Sequence, residues 1–295
     1  MAGIRKRKII SNMTIPFCKF HGFGNDYIVI ERDYIDDETV LSELGSQICD
    51  RHKGAGADGI AVLERFGDGE ADFFCEIINP DGSTAGFSGN GTRCAVAYLH
   101  HKQIWPDPRL RLRTRSGVKN YQLIDKKNSG EYWFEAEIGK PLFASESVPF
   151  ISPEPLDAVV NTILSVNGVE YQVSAVNIGN PVACVFVKDL NFDWRTPGRL
   201  METHEKFPDR ANIVFVKVVD DENIEIRIWE RGAGETAASG TCSSAAAVLS
   251  SFLLKTGRKV RVHSEGGVTD VSWRSDGEII LTGRADFVYC GEWPA

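Results

Sequence analysis

The sequence predicts an α+β fold of two homologous domains, each a mostly antiparallel sheet wrapped around a central helix, with the active site in the cleft between them. A repeated motif is the first reason. NPDGSTAGFSGNGTRCAVAYL over residues 79–99 and ERGAGETAASGTCSSAAAVL over 230–249 both run from a polar loop, through Ser-Gly-Asn or Ser-Gly-Thr, into a small-residue apolar stretch. The second reason is spacing. A Gly-Asn turn precedes each motif, with Asn25 lying 63 positions before Ser88 and Asn180 lying 59 before Ser239. Two turns and two helix starts in one order mark an internal duplication, and the seam between such halves is where a ligand site forms. Each helix start also points free N–H groups and a positive dipole end forward, so two facing starts make a carboxylate trap.

The elements follow in order. Phe17 to Phe20 and Tyr27 to Ile30 read as a hairpin around the GFGND turn. Asp36 or Asp37 caps a helix whose apolar stripe is Val40, Leu41, Leu44 and Ile48. Ile60 to Leu63 and Phe73 to Ile78 are strands, the second delivering Asn79 to the key loop. A helix from Thr92 to about His101, apolar on nearly all sides, runs through the domain centre. Two or three strands between Leu110 and Ile138 close the first half, and PLFASESVPFISPEP is the linker. The second half repeats the plan. Strands at Tyr171 to Val176 and Ala183 to Val187 flank the GNP turn, and a short helix lies near Leu200 to Lys206. Strands Ile213 to Val218 and Ile224 to Trp229 lead to a central helix from Cys242 to Leu254, ended by Gly257. Lys259 to His263, Val268 to Trp273 and Ile279 to Leu281 are the remaining strands. The expected division is a disordered extension over 1–13, a first domain of 14–141 plus 286–295, and a second of 142–285.

Bulk properties exclude several functions. With 295 residues and 42% apolar content the chain has enough material for a full core. A net charge of −8 argues against nucleic acid or an anionic membrane surface as partner, and no stretch has the apolar length of a membrane span. The seven cysteines are scattered, with no C-x-x-C pair and no metal-ligand spacing; they read as buried free thiols in a reducing cytoplasm. The four consecutive basic residues near the N-terminus lack the apolar segment of a secretory signal. GFSGN departs from the G-x-S-x-G elbow at its last position, and GAGADG and GAGE lack the Lys-Ser/Thr of a phosphate loop, so neither a serine hydrolase nor a nucleotide site is indicated.

Eight strings in order, KFHGFGNDYIVIE, GAGADG, NPDGS, SGNGTRC, NIGNP, FPDRANIVFV, ERGAGET and SGT, together resemble the diaminopimelate epimerase family, and the resemblance runs from Pro16 to Gly291. The resemblance implies an amino-acid epimerase that uses neither cofactor nor metal, works on a small amino dicarboxylate, and pairs as a homodimer. It also implies that the last strand, near Phe287 to Gly291, returns to the first domain. It gives the backbone around Gly89-Asn90 and Gly240-Thr241 the proximal carboxylate, and gives Asn25, Asn79, Asn180, Asn212, Glu230 and Arg231 the rest of the substrate, several at its distal end. The residue chemistry suits this, because Arg pairs bidentately with a carboxylate and Glu receives an ammonium.

The catalytic positions depart from the pattern. Where the family carries two cysteines this chain has Ser88 and Ser239, and where it carries a histidine after Gly-Asn-Pro this chain has Val182. A helix N-terminus can bring a thiol into working range, but a serine needs a partner base. Deliberate replacement accounts for the serines and not for Val182; a natural branch of the family accounts for all three. Cys94 and Cys242 fall inside the helices and read as core thiols. The expected reaction is epimerisation of LL-diaminopimelate to the meso form, with Ser88 and Ser239 in the base and acid positions. A racemase, isomerase or dehydratase acting on another amino acid, and a relative that binds an amino dicarboxylate without turnover, are the alternatives.

Overall fold

A computed structural model describes residues 14–36, 39–67 and 69–294. The extension expected over 1–13 and the capping role considered for Asp37 lie outside the described residues. Strands β1 (Thr14–Gly22) and β2 (Asn25–Glu31) form the expected hairpin. Phe23 and Gly24 turn it at φ of 54° and 87°, the left-handed geometry that glycine takes without penalty. Helix α1 (Leu41–Ile48) crosses to β3 (Ile60–Arg65), which lies parallel to β2. Then come β4 (Phe73–Ile78), the short β5 (Thr84–Ala85) and α2 (Gly89–His101). Strand β6 (Arg109–Thr114) returns parallel to β4, and β7 (Gly117–Lys126) and β8 (Glu131–Gly139) follow antiparallel.

After the extra strand β9 (Thr162–Val166), β10 (Val169–Asn177) and β11 (Pro181–Phe186) repeat the hairpin. Helix α3 (Arg195–Glu202) crosses to β12 (Asn212–Val218), parallel to β11 as β3 is to β2. Next are β13 (Asn223–Glu230), β14 (Gly234–Thr236) and α4 (Gly240–Phe252). Strand β15 (Lys259–Ser264) lies parallel to β13 as β6 does to β4, and β16 (Gly267–Trp273) and β17 (Ile279–Pro294) complete the plan. Strand β17 is continuous. It pairs with β16 and β8 over its first half and with β1 over its second, so the first ring closes through β1, β2, β3, β4, β6, β7, β8 and β17.

The two long helices are the cores of these rings. Residues 90–100 of α2 and 242–251 of α4 are all buried, and Cys94, Val96 and Leu99 share one apolar cluster with Cys242, Val248 and Leu249. Full burial of each large apolar side chain contributes about 1.5–3 kcal/mol, which is why helices built from small and apolar residues sit inside rather than on a face.

Four expectations are corrected. Asp36 does not cap α1; its carboxylate accepts from the backbone N and hydroxyl of Thr39, and α1 starts at Val40 without a side-chain cap. Helix α3 overlaps the stretch 200–206 but starts at Arg195 and ends at Glu202, because Asp193 accepts from the backbone N of Thr196 and Pro197 fits the first turn, where no N–H is needed. The turn that ends α4 is made by Leu254, at φ 56°, while Gly257 donates its N–H to the Asp221 carbonyl. Not every cysteine is free. β1 and β17 set Cys18 directly opposite Cys290 and the two form a disulfide, whereas Cys49, Cys75, Cys94, Cys184 and Cys242 are free and buried.

Candidate active site

Ser88 and Ser239 occupy equivalent places, each the N-cap of a central helix with extended backbone geometry (φ −136° and −147°). Ser88 Oγ accepts from the backbone N of Gly91 at 3.1 Å, and Ser239 Oγ from that of Cys242 at 3.5 Å. Capping uses one N–H per helix. The N–H groups of Gly89 and Asn90, and of Gly240 and Thr241, find no acceptor among the described residues. Two helix starts therefore each present adjacent free donors at a positive dipole end, which is chemistry for an anion.

The hydroxyls differ in what stands behind them. Ser239 Oγ donates to Glu230 Oε2 at 3.0 Å, and Thr236 Oγ1 donates to Oε1 of the same carboxylate at 2.8 Å. Burial pushes the Glu230 pKa up, while those two hydrogen bonds pull it back. No cation pairs with this carboxylate among the described residues; the Arg231 guanidinium instead donates to the Asp209 carbonyl. Ser88 has a phenol behind it, with Tyr27 Oη 2.9 Å from its Oγ. Burial drives the Tyr27 pKa far upward, so the ring stays neutral. Glu230 is close enough for its charge to add to that push, and α2 touches α4, so the two halves of the site lie near one another. Val182, in the expected histidine position, is fully buried in the apolar core and offers no titratable group.

A chain of side chains fixes the amides beside Ser88. The buried Arg93 guanidinium donates to Asn90 Oδ1, Asn90 Nδ2 to Asn25 Oδ1 at 3.1 Å, and Asn25 Nδ2 to Asp58 Oδ2 at 2.8 Å. Arginine only donates and a carboxylate only accepts, so both amides have one orientation, with spare N–H donors and no spare carbonyl pointing the other way. Asp58 is itself held, accepting from the backbone N of Asp26 and from Arg51, which also grips Asp26. Burial raises the Asp26 carboxyl, but hydrogen bonds from Arg51 and Lys19 outweigh it and bring the pKa down to about 2.

The remaining predicted residues divide. Asn212 is buried and its Oδ1 accepts from the backbone N of Arg231 at 2.7 Å, which anchors the loop carrying Glu230. Asn79 is hydrogen-bonded within its own loop, to Ser83. Asn180 Oδ1 is buried with no partner; no hydrogen bond joins Asn79 or Asn180 to the serine sites among the described residues. Cys94 and Cys242 are fully buried, and burial pushes the Cys94 thiol up to about 12, so neither is a thiolate. Sequence reasoning missed Tyr27, Asp58 and Arg93. Asp58 and Arg93 lie inside GAGADG and SGNGTRC, whose polar residues in glycine-rich surroundings were the only trace of them. Among the described residues no cluster of His, Cys, Asp and Glu could hold a metal ion, and no helix is long and apolar enough to cross a membrane.

Twin sheet-wrapped helices in this arrangement recur in solved structures, which share the fold. A hydroxyproline epimerase from Agrobacterium vitis superposes with a TM-score of 0.63 at 15% identity, covering 95% of this chain and 91% of that one. A phenazine biosynthesis protein of the PhzF family from Bacillus anthracis does so at 0.68 and 16%, covering 95% and 98%. Sequence narrows the class. The diaminopimelate epimerase family profile matches residues 17–142 and 174–288. The diaminopimelate epimerase of Pelotomaculum thermopropionicum is 36% identical over 94% of this chain and 98% of its own length. That of Caldanaerobacter subterraneus is 38% identical, again over 94% and 98%. The chain belongs to the diaminopimelate epimerase family, a family of isomerases.

Proposed function

We propose that this protein epimerises LL-diaminopimelate to meso-diaminopimelate by moving the α-proton between Ser239, backed by Glu230, and Ser88, backed by Tyr27. The observation that carries the reading is the pair of helix N-caps, each with a hydroxyl partnered by an ionisable group and two free backbone N–H donors alongside. The donors suit the carboxylate that takes up charge as the carbanion forms, and the hydroxyls suit proton transfer from either side of the α-carbon. Asn25, Asn90, Asn180 and Asn79 would grip the amino dicarboxylate, with Arg231 at its outer end. The same reading has the protein act as a cytoplasmic homodimer, which equilibrium ultracentrifugation of the purified chain checks.

The test is calorimetric titration with LL-diaminopimelate, followed by chromatographic separation of stereoisomers after incubation. Binding and slow conversion are expected, with faster conversion by the Ser88→Cys/Ser239→Cys double variant, because a thiol ionises where a hydroxyl does not. Failure of both proteins to bind LL-diaminopimelate would sink the proposal.

A further inference from the structure

The two faces of the site are not equivalent in the direction their protons point. Tyr27 is clamped: a Cβ added to Gly59 or to Gly91 would fall 2.8 Å from its Cε1, so both glycines press on the ring and fix its hydroxyl. The hydroxyl's one partner among the described residues is Ser88 Oγ. Were Ser88 to donate, the phenolic O–H would be left in the wall of the core without an acceptor, a cost of about 1–3 kcal/mol. Tyr27 therefore donates. Ser88 Oγ then accepts from both Tyr27 and the Gly91 N–H, its lone pairs are filled, and its own proton points into the cleft. Ser239 is the reverse. Its proton is committed to the Glu230 carboxylate, and its lone pairs meet the Cys242 N–H at 3.5 Å and the Thr241 hydroxyl at 3.4 Å, both long contacts, so rotation of the Thr241 hydroxyl frees one lone pair for the cleft.

We infer that the site removes the α-proton from the Ser239 face faster than from the Ser88 face, and so exchanges that proton with solvent, with retention of configuration, faster than it inverts the centre. The inference rests on the function proposed above and deepens it. In the exchange step the Cα–H bond breaks, its electron pair stays on the α-carbon and delocalises into the carboxylate, and the proton passes to Ser239 Oγ as the Ser239 proton passes to Glu230 Oε2. Residue 230 keeps intermediate exposure; where the proton held on Glu230 trades with heavy water, a deuteron returns by the same path to the same face. Inversion asks more. Ser88 must release its proton to the carbanion, Tyr27 must replace it, and the charge then rests on a phenolate inside the core. For the stereoisomer whose α-hydrogen faces Ser88, abstraction needs that phenolate before any base exists.

The experiment incubates the full chain in heavy water separately with LL- and meso-diaminopimelate, and follows deuterium at the α-carbon by NMR and configuration by chiral chromatography. One stereoisomer is expected to take up deuterium with retention at least about tenfold faster than it inverts, the size of effect a single positioned base supports. Ser88→Cys is expected to bring exchange and inversion closer together by giving the second face an ionisable group, and Tyr27→Phe to widen the gap. A structural role for Tyr27 would instead lower both rates together. Equal exchange and inversion for both stereoisomers would overturn the inference, as would binding, measured by calorimetry, with no deuterium entering either. Absence of binding would overturn the proposed function itself, and the inference with it.

Discussion

Replacing Glu230 with Gln separates the chemistry of the carboxylate from its packing. Gln has the same shape, and the two hydroxyls that now donate to Glu230, from Thr236 and Ser239, can be met by one carbonyl oxygen and one amide N–H if one hydroxyl turns round. No group is orphaned, so the structural cost is small. The charge is another matter. Burial raises the Glu230 pKa above its ordinary value of 4.5, so the folded state holds that proton more tightly than the unfolded chain. Stability from the protonated form is complete below the unfolded value and is lost as pH climbs through the folded one. Gln cannot ionise and loses nothing. Thermal unfolding of Glu230→Gln should therefore match the parent near pH 3.5 and exceed it near pH 7. Catalysis should move the other way. A positioned general base supplies about 10²–10⁴ in rate, or about 3–5 kcal/mol, and its loss should lower both turnover and α-proton exchange by that range. The reasoning fails if Glu230→Gln turns over LL-diaminopimelate within about threefold of the parent, or if it unfolds at lower temperature near neutral pH.

Three other perturbations test the frame. Asp58→Ala removes the acceptor that terminates the amide chain and frees Asn25 Nδ2, the Asp26 N–H and one arm of Arg51; LL-diaminopimelate should bind more weakly by about 1–3 kcal/mol in calorimetry, with the fold intact by circular dichroism. Leu254→Gly relieves a left-handed residue that is 92% exposed, and should raise the urea midpoint by the equivalent of about 0.5–1 kcal/mol, since αL costs a branched residue more than glycine loses in entropy. Thiol titration of the unfolded, unreduced chain should find five of the seven cysteines, and reduction should then destabilise the native state by up to about 5 kcal/mol, because Cys18 and Cys290 close a loop of 272 residues.

The fold was legible because duplication writes the same instructions twice. Ser-Gly before a run of small apolar residues means a capped, buried helix in both halves, and the alternation of strands around it left little choice of topology. What escaped the sequence was decided by pairing across long distances. Nothing near Cys18 announces Cys290; only the register of β1 on β17 brings them together. The end of α4 went to Leu254 rather than Gly257 because the tertiary hydrogen bond from Gly257 to Asp221 held the glycine elsewhere. Helix α3 starts earlier than expected for a local reason, because Asp193 accepts from the backbone N of Thr196 and Pro197 fits the first turn.

The site divides along the same line. Backbone-defined groups, the caps Ser88 and Ser239 with Gly89, Asn90, Gly240 and Thr241 behind them, were readable because helix starts have a local signature. Roles set by a neighbour's proton were not. Glu230 was read as the receiver of an ammonium, and Tyr27 only as a strand residue. Yet the hydrogen bonds of these two residues set a carboxylate behind one serine and a phenol behind the other. The difference follows from partner chemistry. A carboxylate can take the proton that Ser239 gives up, whereas a core phenol can only fill the Ser88 lone pairs. A pair of identical residues at equivalent positions of a duplicated fold thus stands before different partners, and the asymmetry is invisible until the side chains behind the hydroxyls are known.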